Sequence, residues 1–101
     1  MNKTDDMYGD VTSPTSIRKI DRMIRSDIRS VKSREQLTEL KRRSDYLCTL
    51  TRSPAWKTRF GKKVDQLLDV AKEENVRTVK LANQVAKKHH WDVEYDPWGK
   101  N

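Results

Sequence analysis

The stretch PTSIRKIDRMIRSDIRSV, residues 14–31, decides how this chain folds. Ile17, Ile20, Ile24, Ile28 and Val31 recur at steps of three and four, the period of a helix with one apolar face. Arg18, Arg22, Arg25 and Arg29 recur at four, three and four, which gathers them in a second stripe on a different side of the same helix. The first stripe asks for helical neighbours to bury it. The second presents planar, permanently charged donor forks that suit phosphate or carboxylate.

Outward from this helix the chain keeps the same character. Ser13–Pro14 and Ser53–Pro54 each pair a capping side chain with a proline at the first helical position. Ser33 is followed three residues later by Gln36, a capping-box spacing that leaves a link of only a residue or two and favours an antiparallel hairpin. The second helix buries Leu37, Leu40, Ser44, Leu47, Cys48 and Thr51, with Lys41, Arg42 and Arg43 as a basic run on its flank. Trp56, Phe60, Val64, Leu67 and Ala71 hold one face of a third helix expected to run through Gly61, where glycine costs about 1 kcal/mol relative to alanine; the alternative is a short helix that stops at Phe60. Val76, Val79, Ala82 and Ala86 lie on a rotated face, so a break is expected near Asn75; one helix from 54 to 90 would be unusually long and would point to coiled-coil association. The expected fold is all-α, a small bundle of three to four amphipathic helices at about 14–31, 34–52, 54–74 and 76–90.

Charge divides the chain into three parts. Lys3 against Asp5, Asp6 and Asp10 leaves residues 1–13 at −2, and Lys100 against Asp92, Glu94 and Asp96 leaves residues 91–101 at −2. With a net charge of +7 overall, the helical domain of residues 14–90 carries +11. A basic body between acidic arms suits a nucleic-acid or acidic-protein binder, while a merely solvated surface is the plainer reading. Apolar residues make up 34% of the chain, about 37% with glycine against the usual 45 to 50%, so the core is thin. Long charged stems or a second copy of the chain would then have to cover it.

The tail, WDVEYDPWGKN, alternates Trp91, Val93 and Tyr95 with Asp92, Glu94 and Asp96, the period of an extended strand, and then turns at Asp96–Gly99. No second strand stands ready to pair with it. Trp91, Tyr95 and Trp98 are either anchors for a partner or a cover folded back onto the core. Folded back, the tail would set its carboxylates against the basic body and compete with an anionic ligand.

Several function classes find no support. Cys48 is the chain's one cysteine, which excludes an internal disulfide and fits a reducing, cytoplasmic setting, with the thiol as a small buried hydrophobe. MNKTDDMYGD lacks the apolar stretch of a signal peptide, and no run is long enough to span a bilayer. His89 and His90 point about 100° apart on a helix and lack further ligands, so no metal site is expected. Neither a base–nucleophile pair nor a phosphate-cradling glycine loop is present, and no cofactor is implied. The expectation is a basic, non-enzymatic protein that associates with nucleic acid through Arg18, Arg22, Arg25 and Arg29, with Lys19, Lys32, Arg77, Lys80, Lys87 and Lys88 in support. The alternative is a protein-interaction adaptor, possible also as a homodimer, that uses the arginine stripe and Trp91, Tyr95 and Trp98.

Overall fold

A computed structural model describes residue 11 and residues 13–99; the acidic arm of residues 1–13 therefore lies almost wholly outside the described residues. Those residues form four helices and no strand: α1 (Pro14–Ile28), α2 (Arg34–Thr51), α3 (Pro54–Phe60) and α4 (Lys63–Lys88). The small helical bundle expected from the apolar periodicity is the fold observed.

The three serine start signals act as caps. Ser13 Oγ accepts from the Ser16 amide at 3.2 Å while Ser16 Oγ accepts from the Ser13 amide at 3.0 Å, a reciprocal box built from two serines. Ser33 and Ser53 cap α2 and α3 by accepting from the Gln36 and Trp56 amides. Gln36 reaches past the cap and accepts from the Lys32 amide at 2.8 Å. The α1–α2 link is longer than expected, because α1 closes at Ile28 and the chain winds through residues 29–33 in tight turns, with the Val31 amide donating to Ile28 O. Val31 is still buried.

The second half departs from expectation at two places. Gly61 ends α3, with φ at 58° and ψ at −132°, a left-handed backbone that glycine adopts at little cost. Asn75, where a break was expected, lies inside a continuous 26-residue helix. Its side chain bonds to neighbouring segments instead of capping its own backbone. The two apolar stripes read as separate helices are two faces of α4, one against α1 and the other against α2 and the tail. At about 1.5 Å per residue α4 is about 39 Å long and runs almost the whole 43 Å length of the molecule. Val76 alone of the second stripe is exposed.

Side-chain partners fix the helix directions. Ser13 and Pro14 share a cleft with Lys63, Gln66 and Leu67, and Arg25 reaches Glu74 and Thr78, so α1 runs parallel to α4. Ser44 and Asp45 meet Asn75, while Thr38 and Asn83 both meet Tyr95, so α2 runs antiparallel to α4. Ile17, Ile20, Ile24, Ile28, Leu37, Leu47, Leu67, Ala71, Ala82 and Ala86 fill the space between them.

The tail closes the remaining side. His90 takes a left-handed φ of 59°, its amide donates to Lys87 O, and the Trp91 amide donates to Ala86 O, the αL helix ending that normally uses glycine. The chain then doubles back, extended, along the groove between α2 and α4. No strand pairs with it, but the Asn83 side-chain amide does what a strand's backbone would: it accepts from the Tyr95 amide at 2.8 Å and donates to Tyr95 O at 2.9 Å. Further on, the Trp98 amide donates to Asn75 Oδ1 at 2.8 Å. Trp91, Val93, Tyr95 and Trp98 pack half-buried against the core, which offsets the low apolar content. No helix among the described residues is long and apolar enough to cross a membrane.

Candidate nucleic-acid interface

The arginine stripe lies along the flank of α1 that borders α4, and the bundle divides its four members unequally. Arg18, Arg22 and Arg29 are exposed. Arg25 is drawn inward: its Nη2 donates to Glu74 Oε1 at 3.0 Å, and its Nη1 donates to Thr78 Oγ1 at 3.3 Å and to Glu74 O at 3.4 Å. Its side chain retains 14% exposure and that of Glu74 only 8%, so this ion pair is largely shielded from water. Arg77, on the rim of α4, is well exposed and lies 3.8 Å from Glu74 Oε2. One carboxylate thus sits between Arg25 and Arg77.

The supporting cations are spread more widely than the sequence implied. Arg29 and Lys88 line one cleft at the far end of the α1–α4 seam, together with Leu81, Gln84, Val85 and His89. Lys80 and Lys87 are exposed on the outer side of α4, more than about 100° round the helix from Glu74 and Thr78. Lys19 lies roughly 120° round α1 from Arg25 and is exposed as well. Lys32 belongs to a separate groove with Arg34 and His90, where Glu35 and Asp92 balance its charge. The structure therefore joins Arg18, Arg22, Arg29, Arg77 and Lys88 along one seam, and leaves Lys19, Lys32, Lys80 and Lys87 outside it.

Behind the seam is a buried polar chain that the sequence reading missed. Asp21 is fully buried, and its Oδ1 accepts from Ser44 Oγ at 2.7 Å and from Thr78 Oγ1 at 3.1 Å, while its Oδ2 has no hydrogen-bond partner. Burial raises its pKa from the ordinary 3.8 to about 7; the two hydroxyl donors and the charge of Arg25 oppose that rise, and the charge of Glu74 adds to it. Ser44 Oγ in turn accepts from Asn75 Nδ2 at 3.0 Å, and the same amide group donates to Asp45 Oδ1 at 2.9 Å. Through Asn75 Oδ1 the chain ends on the tail backbone at Trp98. One signal in the sequence marks it: Asp21 stands four residues after Ile17 and seven before Ile28, on the apolar stripe itself.

The aromatic tail residues face their own bundle. Tyr95 Oη shares a hydrogen bond with Thr38 Oγ1 at 2.7 Å, and Trp98 Nε1 donates to Thr49 Oγ1 at 3.1 Å with the Arg52 guanidinium 5.8 Å above its ring. Trp91 stacks on His89, ring centroids 4.4 Å apart and planes 13° from parallel. The tail's path lies between α2 and α4, on the far side of α4 from the α1 seam. Among the described residues no group of three or more His, Cys, Asp or Glu side chains is arranged to hold a metal ion. No protein-family model, curated protein or solved structure matches the chain.

Proposed function

We propose that this chain is a non-enzymatic protein that associates with nucleic acid by holding phosphates along the α1–α4 seam. One observation carries the reading: Arg18, Arg22 and Arg29 remain exposed in a single line, and of the four stripe arginines Glu74 engages Arg25 alone. From Arg18 to Arg29 the line is about 16 Å long, roughly five base-pair steps of a duplex. Arginines along such a line contact backbone phosphates without reading bases, so binding is electrostatic and weakly sequence-specific.

A cytoplasmic setting accords with Cys48, which is fully buried and whose thiol burial pushes up to about 12, leaving it protonated and inert. The adaptor and homodimer readings have less to draw on, because Trp91, Tyr95 and Trp98 are occupied in covering their own core.

The test compares Arg18, Arg22 and Arg29 changed together to glutamine with Arg25→Gln alone. For the triple variant, affinity for a short duplex falls and the slope of log affinity against log salt becomes shallower by about two to three. Arg25→Gln keeps the native slope but loses stability, because Glu74 loses its close, shielded partner and keeps only the exposed Arg77 at 3.8 Å. Absence of native binding at low salt, or an unchanged slope in the triple variant, contradicts the proposal.

A further inference from the structure

The cleft at the end of the α1–α4 seam places two cations beside a flat, stacked ring. Its six lining residues include the cations Arg29 and Lys88 and no carboxylate, whereas the neighbouring groove around Lys32 and Arg34 also contains Glu35 and Asp92. Its edge is His89, an exposed ring held flat on the partly buried indole of Trp91. The left-handed turn at His90 lies between these two residues in the chain and reverses its direction there. His89 therefore offers a ring that is fixed from behind and open in front.

Helix C-termini ordinarily repel anions, and both α1 and α4 end here. In α4 the repulsion is reduced, because Val85 O, Ala86 O and Lys87 O already accept from the amides of His89, Trp91 and His90. In α1 the Arg29 amide bonds to Arg25 O, and Val31 closes Ile28 O. What faces outward is a guanidinium, an ammonium and a flat ring.

Resting on the nucleic-acid reading above, we infer that this cleft is a nucleotide subsite for single-stranded nucleic acid: a base stacks on the open face of His89 and the adjoining phosphate lies between Arg29 and Lys88. A duplex holds its bases in its own stack and cannot offer one here without being unpaired, while a single strand exposes a π-face on every base. The seam and the cleft then divide the work, with the arginine line gripping backbone and His89 taking a base.

The test uses the native full-length protein and three probes: a thymidine strand of about ten nucleotides, an abasic strand of the same length, and a duplex of that length. The thymidine strand binds about tenfold more tightly than the abasic one, in keeping with one stacked base. His89→Ala brings thymidine affinity down to the abasic level and leaves duplex affinity unchanged; His89→Phe, which keeps a flat ring, restores the preference. His89 is exposed, so both variants preserve the core. Equal affinity for thymidine and abasic strands, or a preference that survives His89→Ala, overturns the subsite while leaving the seam intact. Failure to bind all three probes overturns the seam as well.

Discussion

Asn75→Ala is expected to lower the unfolding free energy by about 3 kcal/mol in a urea titration and to free the tail before the bundle melts. The size of the effect follows from what one side chain joins. Asn75 is almost fully buried on α4; its amide group donates to Ser44 Oγ and Asp45 Oδ1 on α2, and its oxygen accepts the Trp98 amide of the tail. Alanine removes all three bonds, leaves a buried hydroxyl and a carboxylate oxygen short of a donor, and opens a cavity at the meeting point of three segments. Amide exchange at Trp98 reports the second part: it accelerates in the variant far more than exchange at Leu47, deep in α2. A loss below about 1 kcal/mol, or equal acceleration at both amides, would mean that the rings and Asn83 hold the tail without Asn75.

The second large effect is a dependence of stability on pH that originates in Asp21. Its folded pKa is about 7 against an ordinary 3.8, so between those values the native state holds a proton that the unfolded chain has released. The contribution of Asp21 to stability is therefore fully present below about pH 4, is lost as pH rises through the window from about 4 to 7, and levels off above it. About three pKa units correspond to a decline of about 4 kcal/mol. Asp21→Asn removes the charge while keeping an oxygen for Ser44 and Thr78 to donate to, although its new amide hydrogens take the place of Oδ2, which has no partner. The expected net result is a gain of about 1 to 3 kcal/mol at pH 8 and a flattened profile between pH 4 and 7. A native profile without that decline, or an asparagine variant less stable at pH 8, refutes this account of the buried carboxyl.

The local signals were legible in the sequence where the decisive partners are near in the chain. Ser13, Ser33 and Ser53 begin helices because capping involves residues two or three positions away, and the isoleucine stripe of α1 is buried because its period requires a core face. Gly61 and Asn75 were exchanged in role because both choices depend on distant contacts. Glycine inside a helical pattern is permitted in either state, and local spacing does not choose between a continuous helix and the left-handed turn at Gly61. Asparagine ends helices when its side chain bonds locally, whereas here Ser44, Asp45 and Trp98 hold that side chain elsewhere.

The candidate interface was legible to the same extent. Helical spacing aligned the four arginines, but it carried no information that Glu74, far along the chain on α4, would engage one of them. Nor could spacing on α4 alone separate Lys88, which joins Arg29, from Lys80 and Lys87, which face away from α1. The tail read correctly as extended, yet its partners are the side-chain amides of Asn75 and Asn83 where a strand was sought. His89 gave no sign of its stack on Trp91, because the turn at His90 that links them is a shape histidine seldom takes.

The most direct measurement of the central claim is a residue-by-residue map of backbone amide shifts in the native protein as a short nucleic-acid strand is added at low salt. The account predicts shifts concentrated on α1 around Arg18, Arg22 and Arg29 and on α4 from Arg77 to His89, all reversed by added salt. Shifts centred on the basic run of Lys41, Arg42 and Arg43 on α2, or no shifts at all, would contradict it.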